Sequence, residues 1–239
     1  MSSLVLVRHG ESRWNREGRF SGWADVDLTR TGEDQARAVG RLLRGKGVAF
    51  DLAVTSALKR TIRSQWLILD ALDQQWIPLI ADWRFNERHY GALTGQNRAE
   101  MERAYGEDQV RLWRRGYEAR PPAMAADAAD LMWGDRRYAR APRHRLPLTE
   151  SLKDTVERVG ELFDDLVAPV LLSGGNVVMT GHGNSLRALL KRLNHISDAD
   201  VAALEVPNAA PIVLDLDDHL DVVSQTWLQI DRAAESFVF

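Results

Sequence analysis

The stretch Leu4–Glu11, which reads LVLVRHGE, decides the fold, because a short apolar run ends there at polar residues beside a glycine. The same arrangement returns far downstream, where the apolar run Val177–Thr180 leads into Gly181–Asn184, which reads GHGN. Parallel strands of an α/β sheet deliver the side chains at their carboxyl ends to one shared crevice. We therefore predict that the two histidines, His9 and His182, meet at one edge of a parallel sheet.

Segments typical of strands and of helices alternate along most of the chain. The order predicts an α/β fold, a three-layer sandwich with a mostly parallel central sheet that is covered by helices on both faces. The predicted strands are Leu4–Val7, Leu52–Thr55, Leu79–Ile80 and Val177–Thr180, with a final antiparallel pair at Pro211–Leu216 and Asp221–Trp227. The predicted helices are Thr31–Leu43, Lys59–Leu72, Leu152–Leu166 and Ser185–Leu193.

A chain of 239 residues can bury a full hydrophobic core, so we expect one domain over residues 1–239. Residues 95–147 break the alternation, with a polar helix predicted at Asp108–Tyr117. A long excursion inside a compact domain is usually functional or disordered. The large aromatic residues of this segment favour an ordered cap of helices and loops, inserted into the domain. Outside it, Trp66, Trp76 and Trp83 are interpreted as core residues.

Composition and charge exclude several kinds of partner and reaction. The chain contains no cysteine, which excludes disulfides and thiol catalysis. No apolar stretch approaches the ~20 residues that a membrane helix needs. No signal-peptide pattern opens the chain, so we expect a cytoplasmic protein with no membrane partner. The formal net charge is −3 and basic residues are interleaved with acidic ones, which argues against a nucleic-acid partner.

His9 is the candidate nucleophile. An imidazole that attacks phosphorus must be neutral, held in one tautomer and close to groups that neutralise phosphate charge. Arg8 precedes it directly, and Arg60 follows another predicted strand end, so both can reach the same crevice. A guanidinium group can hold two phosphate oxygens at once. These residue types therefore indicate chemistry on a phosphoryl group.

His182 opens a predicted helix, whose free N–H groups and positive dipole end favour a phosphate. A metal site is the rival interpretation of two histidines near carboxylates. The spacing matches no local metal-binding motif, and Arg8 would place a fixed positive charge against the cation. We therefore predict no metal.

Two further clusters supply groups for a substrate. Asn86–Leu93 contains Glu87, the best carboxyl for moving a proton to or from a substrate oxygen, although the alternative is that it only pairs with a neighbouring arginine. Arg111–Tyr117 is a basic stripe on the predicted cap, and such stripes are usually solvated helix faces. Beside a phosphate-binding crevice, however, Arg114 and Arg115 are expected to hold substrate anions.

Together these motifs resemble the histidine phosphatase superfamily, and within it the cofactor-dependent phosphoglycerate mutases. The similarity extends from about Leu4 to Pro207, and the motifs in the cap resemble those of the mutase branch. The matching segments are Arg8–Ser12, Trp14-Asn15, Phe20–Trp23, Asn86–Leu93, Trp113–Gly116, Pro121-Pro122, Leu146–Leu152 and Gly181–Leu189.

The resemblance implies a phosphohistidine mechanism that interconverts 3-phosphoglycerate and 2-phosphoglycerate. His9 would take a phosphoryl group from the cofactor 2,3-bisphosphoglycerate and return it to either hydroxyl of a monophosphoglycerate. Glu87 would donate and accept the proton, while Arg8, Arg60 and His182 would stabilise the transferring group. The substrate-binding residues that the family implies are Asn15, Ser21, Gly22, Tyr90, Arg98, Arg114, Arg115, Gly183 and Asn184.

The sequence departs from the mutase pattern at three places. Arg98 stands where mutases usually have lysine. Asn208-Ala209 replaces the usual Thr-Gly of a loop near the C-terminus. Ser236–Phe239 replaces a longer tail that helps to close the site in relatives. A poorer lid would let water intercept the phosphohistidine, so we expect bisphosphoglycerate phosphatase leakage.

Three alternatives to a mutase remain. The first is a phosphohistidine-type phosphomonoesterase, and the second is a bisphosphoglycerate mutase or phosphatase. The third is a silent binding protein that keeps the fold, which the joint presence of the candidate catalytic residues disfavours. By analogy with relatives, we expect a homodimer.

Overall fold

A computed structural model describes residues 1–229, whose centre is a six-stranded sheet. The strands are β1 (Ser2–Arg8), β2 (Leu52–Thr55), β3 (Leu79–Ala81), β4 (Val177–Gly181), β5 (Ile212–Leu216) and β6 (Val222–Trp227). Their order across the sheet is β3-β2-β4-β1-β5-β6. The first four strands in that order are parallel, and β5 and β6 are antiparallel to their neighbours. The mostly parallel sheet is therefore confirmed.

Strands β1 and β4 lie side by side in the middle of the sheet, and this pairing brings the two histidine motifs together. In the parallel register, Arg8 of β1 lies opposite Gly181 of β4. The residues that follow the two strands, His9 and His182, therefore leave the sheet at the same edge.

Helices cover both faces of the sheet, which confirms the three predicted layers. They are α1 (Arg13–Arg16), α2 (Arg30–Gly45), α3 (Lys59–Leu72), α4 (Arg98–Tyr105), α5 (Glu107–Arg115), α6 (Ala126–Trp133), α7 (Leu152–Leu162), α8 (Ala168–Leu172) and α9 (Gly183–Leu193). Successive side chains of a strand point to opposite faces. Val5 and Val7 of β1 accordingly pack with α2 and α3, whereas Leu4 and Leu6 pack with α7, α8 and α9.

The helix predicted at Leu152–Leu166 is longer than expected and changes its winding. It begins with a capping box, in which Ser151 Oγ accepts a hydrogen bond from Asp154 N. After α7 the chain passes through a π-helical turn, Phe163–Val167, and enters α8. Pro169 lies in the first turn of α8, and the wider turn before it accommodates a residue that has no N–H to donate.

Two tryptophans that the sequence analysis assigns to the core are exposed, which corrects that prediction. Trp66 on α3 is 59% exposed and Trp76 is 76% exposed, whereas Trp83 is partly buried. The buried face of α3 is partly polar, because it borders the crevice at the end of β1. Ser64 on this face accepts a hydrogen bond from Gly10 N at 3.1 Å, and Trp66 is left on the outer side.

Residues 95–147 hold α4, α5 and α6, and no strand of the sheet lies among them. Two small apolar clusters hold this segment against the rest of the chain. Val110 of α5 packs with Phe20 and Leu93, and Tyr138 packs with Trp23. The segment is thus packed, as its aromatic residues predict. One domain over residues 1–239 stays a prediction.

Two other expectations concern membrane-spanning helices and the C-terminal tail. Within residues 1–229, no helix combines the length and the apolar character that crossing a bilayer requires. The expectation drawn from Ser236–Phe239 concerns residues outside the described part of the chain.

Candidate active site

His9 follows β1 directly and is buried at the carboxyl edge of the sheet. Its main-chain N–H donates to Gly181 O at 3.0 Å, and its ring nitrogen Nδ1 lies 2.6 Å from Gly10 O. Because a carbonyl can only accept, Nδ1 carries the ring proton and Nε2 keeps its lone pair. A Cβ at position 10 would lie 2.0 Å from Gly32 O, so only glycine allows this close approach.

The surroundings of His9 keep its imidazole neutral. Burial lowers the pKa of His9 well below its ordinary value, and the charges of Arg60 and Arg8 lower this pKa further. The hydrogen bond to Gly10 opposes the shift without cancelling it. A neutral imidazole that is held in one tautomer is the form that can act as a nucleophile.

His182 lies beside His9, as predicted, with the two ring centroids 5.1 Å apart. Both of its ring nitrogens have partners inside the protein. Arg60 Nε donates to Nδ1 at 3.2 Å, so Nε2 carries the proton and donates to Ser56 Oγ at 2.8 Å. Burial and the nearby Arg60 lower the pKa of His182 well below its ordinary value. In this arrangement His182 orients Arg60.

Arg60, in the first turn of α3, is buried between the two histidine motifs and a neighbouring loop. Its Nη1 donates to Ala24 O and its Nη2 donates to Gly22 O, both at 2.8 Å. With Nε bonded to His182, three of the five N–H groups of the guanidinium are used and two remain for a ligand. Burial lowers the pKa of Arg60 to about 10, so the group stays positively charged at neutral pH.

Arg8 is the last residue of β1 and lies close to the first residue of α9. Its Nη1 donates to Val206 O at 2.7 Å, while its buried Nε has no hydrogen-bond partner within residues 1–229. A Cβ at Gly183 would lie 3.7 Å from the Cζ atom of Arg8 and 3.8 Å from Glu87 Oε2. Arg8 and Glu87 therefore both lie at the N-terminus of α9.

Glu87 is held by the main chain. Its Oε1 accepts hydrogen bonds from Arg88 N at 2.8 Å and Asn184 N at 3.1 Å. No arginine or lysine in the described part of the chain forms an ion pair of 4.0 Å or less with it, so Glu87 is not simply the partner of a neighbouring arginine. Its other oxygen, Oε2, accepts no hydrogen bond from residues 1–229 and can exchange a proton with a ligand.

Tyr90 and Asn184 form the next part of the site. Asn184 Nδ2 donates to the Tyr90 hydroxyl at 3.0 Å, and the Arg88 guanidinium lies 4.9 Å from the centre of the Tyr90 ring. Burial acts to raise the pKa of Tyr90, but the charge and hydrogen bond of Arg88, together with the charge of Arg114, bring this pKa below its ordinary value.

These side chains surround a cavity of about 380 Å³. Every site residue proposed from the sequence lines this cavity except His182, whose ring nitrogens face Arg60 and Ser56. The lining residues that sequence reasoning identified are Arg8, His9, Asn15, Ser21, Gly22, Arg60, Glu87, Tyr90, Arg98, Arg114, Arg115, Gly183 and Asn184.

The cap provides the cationic wall of the cavity. Arg98 is the first residue of α4, and Arg114 and Arg115 are the last two residues of α5. Burial lowers the pKa of Arg114, and the like charges of Arg98 and Arg115 add to this effect. Arg115 already has an anionic partner, because it forms an ion pair with Glu205. Like charges that are collected around a cavity favour an anionic ligand.

Four polar lining residues were missed by sequence reasoning, namely Arg19, Arg187, Glu205 and Asn208. For the loop that contains Asn208, the one sequence signal was the departure from the mutase pattern at Asn208-Ala209. Asn208 Nδ2 donates to His9 O at 2.7 Å, and Ala209 N donates to Arg8 O at 2.9 Å. Ala209 has a φ of 53°, in the left-handed region that favours the glycine of the family pattern. The loop at Asn208-Ala209 is thus bonded to the main chain of Arg8 and His9 and holds it in place.

The side chains around the cavity do not favour a metal centre. Within residues 1–229, no group of three or more His, Asp or Glu side chains is arranged to hold a metal ion. The positive charges of Arg60 and Arg8 both act on His9, and they disfavour a cation beside it.

Several known structures of similar fold are described as phosphatases. A mycobacterial glucosyl-3-phosphoglycerate phosphatase, solved in complex with VO3, is 25% identical to this chain with a TM-score of 0.69, covering 90% of this chain and 93% of its own. A protein from Escherichia coli assigned as an alpha-ribazole-5'-P phosphatase is 21% identical with a TM-score of 0.70, covering 96% of both chains. The alpha-ribazole phosphatase from Shigella flexneri is 22% identical with a TM-score of 0.68, covering 95% of both chains.

The match to a protein family covers nearly the whole sequence. The family model of the histidine phosphatase superfamily (branch 1) matches residues 4–133 and 123–227, which include both histidine motifs and the cap. On this evidence, with the α/β fold and the paired histidines, the chain belongs to branch 1 of the histidine phosphatase superfamily.

Proposed function

We propose that this chain is a phosphohistidine-forming phosphatase that hydrolyses small phosphomonoesters carrying a second anionic group. The observation that carries the proposal is the state of His9. Its Nδ1 donates to Gly10 O, its Nε2 keeps the lone pair, and burial, with the charges of Arg60 and Arg8, lowers the pKa of its ring. These are the properties of a nucleophile that receives a phosphoryl group and is charged only while it holds that group.

The first step is phosphoryl transfer to the protein. His9 Nε2 forms a bond to phosphorus while the bond from phosphorus to the ester oxygen breaks. Glu87, protonated at Oε2, gives its proton to the leaving oxygen. The guanidinium groups of Arg8 and Arg60 neutralise the charge on the phosphoryl oxygens, and His182 fixes the orientation of Arg60.

The second step restores the protein. Water attacks phosphorus as the N–P bond breaks, and the Glu87 carboxylate takes the proton of the water. Inorganic phosphate leaves, and His9 returns to its neutral form. Because the transition state resembles metaphosphate, positioning and charge neutralisation supply most of the acceleration.

The substrate class follows from the opposite wall of the cavity. Arg98, Arg114 and Arg115 line it together with Tyr90 and would hold a carboxylate or a second phosphate. The remaining proposed contacts to the substrate are made by Asn15, Ser21, Gly22, Gly183 and Asn184. The similarity to a glucosyl-3-phosphoglycerate phosphatase supports a phosphorylated short-chain acid as the substrate.

Phosphoglycerate mutase is the second candidate function. It is favoured by two segments, Asn86–Leu93 before the cap and Trp113–Gly116 within it, which resemble the mutase branch and contribute Tyr90 and Arg114 to the cavity. In this reaction, 2,3-bisphosphoglycerate would phosphorylate His9, and the acceptor would be a hydroxyl of a monophosphoglycerate instead of water. The cationic lining fits the charge of that cofactor.

One coupled assay distinguishes the two candidates. The protein is incubated in EDTA with 3-phosphoglycerate, with and without 2,3-bisphosphoglycerate, and both 2-phosphoglycerate and free phosphate are followed. Phosphate release without isomerisation supports the phosphatase. Isomerisation that 2,3-bisphosphoglycerate stimulates supports the mutase.

The control variant tests whether either activity belongs to this site. His9→Ala abolishes both reactions, whereas His219→Ala, at an exposed turn between β5 and β6, leaves them unchanged. Absence of both products from the folded wild-type protein contradicts both candidates and supports the silent binding protein.

A further inference from the structure

Arg88 is a buried charge without a counter-ion. Its side chain is among the largest that are fully buried, and it forms no ion pair within residues 1–229. Its Nε and Nη1 atoms are buried and have no hydrogen-bond partner in the same range. Burying a guanidinium without a carboxylate costs free energy. Arg88 lies outside the cavity lining, so the site already described gives this cost no explanation.

The one strong hydrogen bond of the Arg88 side chain within residues 1–229 is made to the cap. Its Nη2 donates to Arg114 O at 2.7 Å, and the same atom lies 3.5 Å from the Tyr90 hydroxyl. Arg114 O is one of the carbonyls at the C-terminal end of α5 that have no partner within the helix. This end also carries the negative pole of the helix dipole, which a buried cation stabilises.

A second buried arginine acts at the same helix end. Arg187 of α9 donates from Nη2 to Arg115 O at 3.1 Å and from Nη1 to Arg114 O at 3.5 Å. Its Nη1 also donates to Asn184 Oδ1 at 2.8 Å. Two guanidinium groups therefore bind the main-chain carbonyls of Arg114 and Arg115, two of the three residues whose side chains form the cationic wall of the cavity.

We infer that Arg88 is a positioning residue, which fixes the end of α5 so that Arg114 and Arg115 hold the second anionic group of the substrate. The inference rests on the proposed function, because it assumes a substrate with two anionic groups. Arg88 also follows Glu87 in the chain, and its main-chain N–H holds Glu87 Oε1. The same residue therefore links the proton donor to the wall that binds the second anion.

The variant Arg88→Met distinguishes a positioning residue from a residue that only stabilises the fold. Arg88→Met keeps a long unbranched side chain and removes the uncompensated buried charge. It also removes one bond to Arg114 O, which Arg187 still approaches. Removal of the charge offsets loss of the bond, so we expect little change in Tm. We expect this variant instead to bind the second anionic group of the substrate less tightly.

The experiment compares two substrates. 3-Phosphoglycerate carries a phosphate and a carboxylate, whereas p-nitrophenyl phosphate carries a phosphate alone. In Arg88→Met we expect KM for 3-phosphoglycerate to rise about tenfold, the effect of losing a hydrogen bond to a charged group. KM for p-nitrophenyl phosphate stays at the wild-type value. Arg111→Met, which removes an exposed guanidinium from the same helix, changes neither KM.

A conservative variant covers the case in which Arg88→Met does not fold. Arg88→Lys keeps a charged donor for Arg114 O, and we expect it to retain most of the affinity for 3-phosphoglycerate. An equal loss of activity on both substrates, together with a lower Tm, would show that Arg88 is only structural and would overturn the inference. Loss of 3-phosphoglycerate affinity in Arg88→Lys as large as that in Arg88→Met would also overturn it, because the charged donor would then be irrelevant.

A calorimetric measurement separates this inference from the proposed function. The Kd for 3-phosphoglycerate and the Kd for inorganic phosphate are measured for the wild type and the Arg88 variants, without turnover. A wild type that binds 3-phosphoglycerate without hydrolysing or isomerising it contradicts the proposed function, and the Kd ratio still tests Arg88. A wild type that binds 3-phosphoglycerate no more tightly than phosphate contradicts the inference.

Discussion

The two ends of the cavity are built in different ways. At the nucleophile end, His9 and His182 follow two central strands, and Arg60 is bonded to main-chain carbonyls and to His182. At the cap end, Arg98 and Arg114 lie on short helices outside the sheet. The first end is buried and its hydrogen bonds are largely internal, whereas the second end is partly open to solvent.

This difference teaches which part of the site performs chemistry and which part selects the substrate. Groups that must act on phosphorus are fixed by the most buried part of the fold, since positioning and electrostatics supply the rate. Groups that recognise the rest of the substrate lie on the cap, which can vary without disturbing the sheet. The nucleophile end should therefore be sensitive to every substitution, and the cap end should affect only the choice of substrate.

Arg60→Ala should have the largest effect, because it damages the nucleophile end in two ways. We expect activity on every phosphomonoester to fall about 10²–10³-fold, the effect of removing a charge from the transition state. We also expect the free energy of unfolding to fall by about 3 kcal/mol, because two main-chain carbonyls and His182 lose their donor. Kinetics and urea denaturation measure the two effects. Arg63→Ala, which removes a partly exposed arginine of the same helix that pairs with Asp27 and Glu33, is the control, and equal losses in both variants would contradict the account.

Acid should destabilise the folded chain through its buried imidazoles, two of which lie at the nucleophile end. The pKa of His9 and that of His182 are well below the ordinary value, and burial lowers the pKa of His89 to about 4. Between about pH 6.5 and pH 4 the unfolded chain binds these protons and the folded chain does not, so stability falls as the pH falls. His89 alone lowers the free energy of unfolding by ~3 kcal/mol over that window, because only the unfolded chain binds its proton there. Urea denaturation from pH 7 to pH 4 measures the slope, which His89→Gln should make shallower; an unchanged slope would be inconsistent with a neutral buried His89.

Arg114→Ala should separate the two ends of the cavity. We expect KM for 3-phosphoglycerate to rise roughly tenfold, because one guanidinium no longer meets the second anion. Activity on p-nitrophenyl phosphate and Tm should stay close to wild type, since the side chain of Arg114 forms no ion pair within residues 1–229. Arg111→Ala on the same helix is the control. A matching loss on p-nitrophenyl phosphate would mean that Arg114 acts on the transferring phosphoryl group.

Glu205→Gln should have the smallest effect, with the opposite sign. Glu205 pairs with Arg115 at the cap end, and its side chain is 72% exposed, so an incoming anion must compete with it. Exposed ion pairs contribute little, and we expect KM for 3-phosphoglycerate to fall only about 2–3-fold. Steady-state kinetics on both substrates test this, with Glu161→Gln, which breaks an exposed ion pair with Arg145, as the control. A higher KM would show that Glu205 helps to bind the substrate.

The sequence predicted the parts of the site that depend on local pattern. An apolar run that ends at a histidine and a glycine identifies a strand end, so the meeting of His9 with His182 could be expected. Arg8 is adjacent to one of these motifs, and Glu87 lies in a polar cluster that the family resemblance singles out. The resemblance was less informative about the reaction, because the paired histidines are shared by enzymes that transfer the phosphoryl group to different acceptors.

The sequence did not predict the contacts that join distant segments. Asn208 lies 199 residues from His9, and its amide reaches His9 O only because β5 returns beside β1. The prediction that Trp66 of α3 lies in the core was wrong for a related reason. Its polar face borders the crevice, so hydrophobicity alone assigned Trp66 to the core, where the fold places Ser64.

Detection of the phosphorylated protein tests the central claim most directly. The wild type is mixed with 3-phosphoglycerate or 2,3-bisphosphoglycerate, quenched in alkali during turnover and examined by intact-mass and peptide mass spectrometry. The account predicts one acid-labile phosphoryl group on His9, absent from His9→Ala and present in Arg111→Ala. A phosphoryl group on another side chain, or none in a preparation that is actively turning over substrate, would contradict it.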